Sequence, residues 1–346
     1  MKKIQSTLLT LTVMIALVAC EKVSPIGVLV SGTGVEDRVK MSHLYFQDHK
    51  GEGYYWDACG KDEYTFLVGA DSHLTNDKGR LQEMLQNTLD NNDLLCAHLG
   101  DIADTKAEYY IDLEDLINDF KWKYAKKHFK EQYLGDVDDE EELEDPDNYI
   151  YTDTVEDKRY GVDDVPMPFY PVVGNHDITH NGWALWSNVF HSSFYEVLVI
   201  VNYDPLVWDR FIFLDTASGT LGAEQVKLIE EDGFVLREYL ESNIRNTFVF
   251  SHTNIFRPSS LQFASTFARE ETFFLLNQFK EWDASIVFCG HVHKWDEQEV
   301  NGVRYITLDS MSERNSPAAG DYLLRVHVKA NGDISWERVH MNYVAK

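Results

Sequence analysis

The sequence predicts a mixed α/β domain, because apolar strand candidates alternate with amphipathic helical patterns from residue 64 onward. The strand candidates are seven short apolar runs at 65–69, 94–98, 169–173, 197–201, 211–214, 247–250 and 286–289. Helical periodicity is present at 113–124, 224–240 and 269–282. Residues Val300-Asn301-Gly302-Val303 then have the composition of a hairpin turn. They predict a β-rich final part, with strands at 303–308, 322–328 and 334–339.

The length of 346 residues is enough for one large or two modest domains, and 44% hydrophobic with 26% charged residues is typical of a globular protein. Acidic residues number 58 against 31 basic residues, which gives a net charge of −27. Such a surface repels nucleic acid, so we expect no nucleic-acid partner. An anionic substrate would need a local positive centre, which bound metal ions can supply.

The first 20 residues have the pattern of an export signal. Lys2 and Lys3 precede an apolar run at 8–19 that is too short to span a bilayer. The run ends in Leu17-Val18-Ala19-Cys20, which resembles a bacterial lipobox with Cys20 as the lipidated residue. We therefore predict a signal peptide at 1–19 and a membrane anchor through lipid on Cys20. Because Glu21 and not Asp follows the cysteine, the outer membrane of a bacterium is the expected location; a plain cleaved signal is the alternative.

The remaining chain divides into a lead-in at 20–62 and a main domain at 63–346. The lead-in is predicted to be irregular, with a possible strand at 26–30. An insertion at about 105–168 interrupts the main domain; it begins with the helical pattern at 113–124 and continues into an acidic run at 136–147. Nine of the twelve residues in that run are carboxylates. The run fits a lid or a calcium-binding segment, but its composition favours a solvated, mobile insertion.

Five short polar motifs directly follow five of the strand candidates. They are Asp71-Ser72-His73, Gly100-Asp101-Ile102-Ala103-Asp104, Gly174-Asn175-His176-Asp177, Ser251-His252 and Gly290-His291-Val292-His293. Each motif alone is common in turns, whereas five in succession at strand ends are not. Ligands of open α/β sheets collect where strands end, and histidine, carboxylate and amide oxygens together suit Mn, Fe or Zn better than Ca or Mg.

The motifs also indicate that two ions could be held. His291 and His293 project to the same side of an extended segment, so each can face a different ion. A carboxylate has two oxygens and can bridge two ions, which is the role we expect for Asp101.

The five motifs resemble those of the calcineurin-like metallophosphoesterases: Asp-x-His, Gly-Asp-x-x-Asp, Gly-Asn-His-Asp/Glu, His and Gly-His-x-His. The resemblance covers roughly residues 64–339 and implies a four-layer α/β/β/α sandwich of two mixed sheets. It implies one divalent or trivalent ion held by Asp71, His73, Asp101 and His293. It implies a second such ion held by Asp101, Asn175, His252 and His291. His176 matches the acid of the family, and Asp104 matches the carboxylate that orients this acid.

The reaction implied is hydrolysis of a phosphomonoester or phosphodiester by attack of a metal-bridging hydroxide, with His176 as general acid. Thr105-Lys106 stands where protein Ser/Thr phosphatases have Arg-Gly, so that subclass is not favoured. Two alternatives stay open: a non-catalytic binding module on the same fold, and a pyrophosphatase-type hydrolase of nucleotide-linked substrates. A binding module would be expected to have lost ligands, and none are lost here.

Four other polar residues near the motifs are interpreted as structural. His180 could contact substrate and Lys106 could meet a phosphate oxygen, but a turn position for His180 and a structural role for Lys106 are favoured. Asp215, at the end of a strand, is expected to accept structural hydrogen bonds, and His98 is expected to lie in the core.

Overall fold

In a computed structural model of the chain, the residues described are 33–49, 54–74, 78–128, 167–231, 243–256, 267–312 and 322–342. Their helices are α1 (Val35–Asp48), α2 (Gly79–Asn91), α3 (Ala107–His128), α4 (Asn175–Ile178), α5 (Trp183–Phe190), α6 (Gly222–Glu230) and α7 (Arg269–Glu281). Their strands are β1 (Tyr55–Asp57), β2 (Glu63–Gly69), β3 (Leu95–His98), β4 (Phe169–Pro171), β5 (Tyr195–Tyr203), β6 (Leu206–Phe213), β7 (Ile244–Ser251), β8 (Ala284–Cys289), β9 (Asp296–Val300), β10 (Val303–Thr307), β11 (Tyr322–Lys329) and β12 (Ile334–His340). All the predicted strands that fall on described residues are therefore present.

The strands form two mixed sheets. One has seven strands in the order β1-β5-β6-β7-β8-β10-β9, and the other has five in the order β12-β11-β2-β3-β4. Strands β2, β3 and β4 run parallel in the smaller sheet, as do β6, β7, β8 and β10 in the larger one. Neighbouring parallel strands end at the same edge of a sheet, so the motifs that follow β2, β3 and β4 are brought together, as are those that follow β7 and β8.

The two sheets pack face to face through aromatic side chains. Phe66 of β2 has its ring centroid 5.0 Å from that of Phe211 and 5.1 Å from that of Phe248, both in the larger sheet. Helices α2 and α3 cover the smaller sheet, whereas α1, α6 and α7 cover the larger one. The predicted four-layer α/β/β/α sandwich is confirmed, because each sheet buries one face against the other sheet and one against helices.

The hairpin prediction is also confirmed. Asn301 and Gly302 join β9 to β10 and have positive φ angles of 56° and 84°. Such a pair of left-handed residues gives a two-residue turn whose twist matches antiparallel strands.

The predicted irregular lead-in differs from the structure over its described part. Residues Val35, Val39 and Phe46 are buried on one side of α1, which packs against β5 and α6. Strand β1 adds to the larger sheet parallel to β5. The described part of the lead-in therefore belongs to the fold of the main domain.

A buried ion pair attaches α1 to the larger sheet. The guanidinium of Arg38 donates to both carboxylate oxygens of Asp215, at 2.7 and 2.8 Å, and neither side chain is exposed. Arg38 also donates to the backbone oxygen of Thr33 and to the hydroxyl of Ser218. The structural role expected for Asp215 is confirmed.

Helix α3, with which the predicted insertion begins, belongs to the core. Its apolar face is buried, and the Tyr124 hydroxyl donates to the backbone oxygen of Leu94 at 2.7 Å. The acidic run at 136–147, the predicted signal peptide at 1–19, Cys20 and the possible strand at 26–30 lie outside the described residues and stay predictions. Among the helices that are described, none is both long enough and apolar enough to cross a membrane.

We expect Arg38→Met to lower the free energy of unfolding by about 3–5 kcal/mol, because it leaves the Asp215 carboxylate buried without its cation. Lys123→Met is the matched control, since Lys123 and Asp119 are also 2.7 Å apart but about half exposed. Its cost should stay below about 0.5 kcal/mol. Urea unfolding of both variants measures the difference, and equal losses would contradict a fold-critical role for Arg38.

Candidate metal centre

The five predicted motifs meet where β2, β3, β4, β7 and β8 end. The loop after β2 lies alongside the loop after β3, because the His73 N–H donates to the Asp101 backbone oxygen at 2.9 Å. The loop after β8 joins them, because the His291 N–H donates to the Asp71 carboxylate at 3.0 Å. Gly174 packs so closely on Asp101 that a side chain there would collide with it. The seven predicted ligands are therefore gathered in one site.

Five of these ligands have a left-handed backbone. The φ angles are 53° at Asp71, 45° at His73, 52° at Asp101, 67° at His291 and 57° at His293. A side chain other than glycine seldom adopts this conformation, and each instance costs about 1–3 kcal/mol. Strain concentrated on the same residues that the motifs single out indicates that their positions serve a function.

Asp71, His73, Asp101 and His293 form the first group of potential ligands, each with one ligand atom within 4.8 Å of the others. His293 Nε2 is 3.3 Å from Asp71 Oδ1. His73 Nε2 is 3.8 Å from Asp101 Oδ2, and it is buried without a hydrogen-bond partner among the described residues. A buried imidazole nitrogen left in this way, facing carboxylates, is suited to a metal ion.

The second group is Asp101, His252 and His291, also within 4.8 Å, and Asn175 adjoins it. His252 Nε2 lies 3.0 Å from Asn175 Oδ1 and 3.1 Å from His291 Nδ1. His252 Nδ1 is 2.7 Å from the backbone oxygen of Leu99. A carbonyl oxygen only accepts, so Nδ1 carries the proton and Nε2 presents its lone pair to the site.

Asp101 belongs to both groups and is almost fully buried. Burial alone would raise the pKa of its carboxyl group, but His252, His176 and His73 lower it well below the usual range. Burial alone would lower the pKa of His73. The carboxylates of Asp104, Asp101 and Asp71 outweigh the effect of burial and raise this pKa from 6.5 to about 9. Without metal, a proton on His73 thus balances buried negative charge that a cation could balance instead.

His176 and Asp104 lie beside the first group. His176 Nδ1 is 3.8 Å from Asp104 Oδ1, and His73 Nδ1 is 3.6 Å from the same oxygen. Burial lowers the pKa of His176, and Asp101 opposes this more than Asp104 does. Asp104 is one-third exposed, and its Oδ1 is nearer to His73 than to His176, which explains its weaker effect on the pKa of His176.

One further residue of the third motif holds the site together. The Asp177 carboxylate is fully buried and accepts hydrogen bonds from the N–H groups of Gly174 at 2.8 Å, Ile102 at 3.1 Å and Ala103 at 3.3 Å. It also accepts from the Tyr110 hydroxyl of α3 at 3.3 Å. Asp177 therefore ties the second and third motifs to each other and to α3. Its position at the end of the third motif was visible in the sequence, but its partners were not.

Thr216 holds the fourth motif in a similar way. Its hydroxyl oxygen accepts from the backbone N–H groups of His252 at 2.9 Å and Thr253 at 3.1 Å. Because Thr216 follows Asp215, the Arg38 ion pair and the placement of His252 depend on the same turn. No sequence signal marked this residue.

The other polar residues considered in the sequence are structural or exposed. His98 is buried, and burial lowers its pKa to about 3, so its ring is neutral and the core assignment is confirmed. The Lys106 ammonium group is more than half exposed and donates to the Tyr109 hydroxyl at 2.9 Å. His180 is exposed within the turn that follows α4.

Known structures with a similar fold have low sequence identity. GAP50, described as the anchor in the inner membrane complex of Plasmodium, is 13% identical, with 82% of this chain and 90% of that chain covered and a TM-score of 0.46. A dimetal phosphatase from Danio rerio is 11% identical, with 81% and 99% covered and a TM-score of 0.44. An archaeal phosphodiesterase is 9% identical, with 80% and 99% covered and a TM-score of 0.34. Identities of this size say nothing about function.

The sequence itself matches one family. No curated protein matches the chain. The sequence pattern described as calcineurin-like phosphoesterase matches residues 64–295, about two thirds of the chain. That span begins at β2 and includes all five motifs. The chain therefore belongs to the calcineurin-like phosphoesterase family.

Proposed function

We propose that this protein is a phosphoesterase that uses two metal ions. The observation that carries the proposal is the position of Asp101, whose buried carboxylate lies in both groups of converging ligand atoms. Asp71, His73, Asp101 and His293 would hold one ion, and Asp101, Asn175, His252 and His291 would hold the other. The mixture of imidazole, carboxylate and amide donors favours Mn, Fe or Zn.

The two ions would polarise the phosphoryl oxygens and lower the pKa of an attacking water molecule. The residues of the chain would have to hold and orient the ester. Both phosphomonoesters and phosphodiesters fall within the proposal.

His176 is proposed to protonate the leaving oxygen. Its Nδ1 faces Asp104, which leaves Nε2 as the nitrogen that can carry a proton to the substrate. The lowered pKa makes the imidazolium a stronger acid towards a departing alkoxide. Asp101 and Asp104 oppose that lowering, so their carboxylates help the ring to keep a proton before the reaction.

A non-catalytic binding module is the rival function. It would need the fold but no complete set of catalytic residues. The described residues include all seven proposed ligands together with His176 and Asp104, which supports the enzyme. Metal binding without hydrolysis of any ester in a panel of monoesters and diesters would favour the rival.

Removal of the metals should destabilise the protein and expose the titration of His73. The pKa of His73 in the folded, metal-free protein is about 9, above the ordinary 6.5, so its proton stabilises the fold below about pH 6.5. This contribution should disappear as the pH rises through about 9. Melting temperatures of chelated protein across this range measure the effect.

His73→Asn should flatten that pH profile, whereas His327→Asn, a change at a partly exposed histidine of β11, should not. An unchanged profile in chelated His73→Asn would show that another group is responsible.

Asp101→Asn should remove nearly all hydrolysis of an activated aryl phosphoester in the presence of Mn²⁺, because one change disturbs both groups of ligands. Elemental analysis should show less bound metal than in the wild type. Asp209→Asn is the control, since Asp209 is also a buried carboxylate but is paired with Arg245. Wild-type turnover in folded Asp101→Asn protein would end the two-metal proposal.

His176→Asn should slow the hydrolysis of alkyl phosphoesters by about 10²–10⁴-fold and that of nitrophenyl esters far less. A nitrophenolate leaves without a proton, whereas an alkoxide does not. The measurement is the dependence of kcat/KM on the pKa of the leaving group. His180→Asn changes an exposed histidine four residues away and should keep the wild-type slope. A wild-type slope in His176→Asn would assign the acid to another residue.

A further inference from the structure

The backbone of His176 is fixed on both sides. Its N–H donates to Asp101 Oδ1 at 2.7 Å, and its carbonyl oxygen accepts from the Thr105 hydroxyl at 2.6 Å. The Thr179 hydroxyl lies 3.0 Å from the same carbonyl oxygen and 3.0 Å from Thr105 Oγ1. The peptide groups on both sides of the His176 side chain are therefore held by neighbouring residues.

The described residues provide no comparable hold on the ring of His176. Asp104 Oδ1 is 3.8 Å from Nδ1, and the ring of His73 meets that of His176 edge-on with centroids 4.7 Å apart. A separation of 3.8 Å is too long for a hydrogen bond. The direction in which the His176 side chain leaves the backbone is consequently set by the hydrogen bonds of its N–H and carbonyl groups.

Thr105 is chemically suited to this place. Its hydroxyl reaches the His176 carbonyl, and its methyl group Cγ2 faces Gly182, where an added Cβ would lie only 2.8 Å away. The hydroxyl and the methyl group of Thr105 therefore each contact a neighbouring residue. Valine would keep the methyl contact without the hydroxyl, and serine would keep the hydroxyl without the methyl group.

One short segment, residues 101–105, contacts the N–H, the carbonyl oxygen and the ring of His176. Asp101 binds the N–H, Thr105 binds the carbonyl oxygen, and Asp104 faces the ring. We infer that Thr105 is a positioning residue for His176. Protein Ser/Thr phosphatases have an arginine at the corresponding place. This inference rests on the proposed acid role of His176.

The test compares Thr105→Val with Thr105→Ser, and Thr272→Val serves as a control on the exposed side of α7. In Thr105→Val the His176 amide should exchange its hydrogen about five- to tenfold faster, since one hydrogen bond of the turn is lost. On alkyl phosphoesters kcat should fall while KM changes little, and the leaving-group slope should move towards that of His176→Asn. Thr105→Ser should restore the wild-type rate of amide exchange, the wild-type kcat and the wild-type leaving-group slope.

Because the Thr179 hydroxyl can replace part of the lost contact, the double variant Thr105→Val/Thr179→Val should show a larger effect of the same kind. Thr105→Ala takes the place of Thr105→Val if the latter does not fold. Wild-type amide exchange and a wild-type slope in the double variant would overturn the inference.

The outcomes separate the two proposals. If His176→Asn changes the leaving-group slope and the threonine variants do not, the inference fails and the acid role stands. If His176→Asn leaves the slope unchanged, the acid role fails. Faster exchange of the His176 amide in Thr105→Val would then still support the backbone contact, and unchanged exchange would overturn it.

Discussion

The site depends on the burial of two carboxylates, Asp71 and Asp101, in the space where the two sheets end. Neither is exposed by more than 1%, and a buried anion is stable only beside opposite charge or hydrogen-bond donors. Both oxygens of Asp101 have close neighbours: Oδ1 accepts the His176 N–H, and Oδ2 faces the Nε2 atoms of His252 at 3.5 Å and His73 at 3.8 Å. The first, third and fourth motifs therefore meet at a single carboxylate of the second motif.

The sheets make this burial possible. Parallel strands deliver the motifs to common edges, and left-handed residues then turn the chain sharply enough for backbones to approach each other. Gly100 and Gly174 show how close that approach is, because a Cβ on Gly100 would lie 2.7 Å from His252 Nδ1. The local strain is offset by the aromatic core around Phe66, midway along β2, which packs the two sheets together.

The sequence allowed most of the fold to be predicted, because strands such as β3, β4 and β8 are buried on both faces and appear as apolar runs that end in polar motifs. Helix α1 was not predicted, because its buried face is not continuously apolar. Arg38 and Ser42 occupy buried positions on its inner face, so the apolar stripe is interrupted. The partner of Arg38 is 177 residues away, and no local pattern can reveal it.

The candidate site shows the same limit. Motifs identified the residues that converge, but the positions of Asp104 between two histidines and of Thr105 under His176 follow from tertiary contacts alone.

Charge gives the proposed ions a second role besides chemistry. The chain carries a net charge of −27, and the carboxylates of Asp71, Asp101 and Asp104 lie in the site. A phosphoester is an anion, so the metal-free site would repel it. The protons held by His73 and His293, whose pKa values are raised, offset only part of this charge. Two multivalent cations would reverse the local sign, so the binding of metal and the binding of substrate must favour each other.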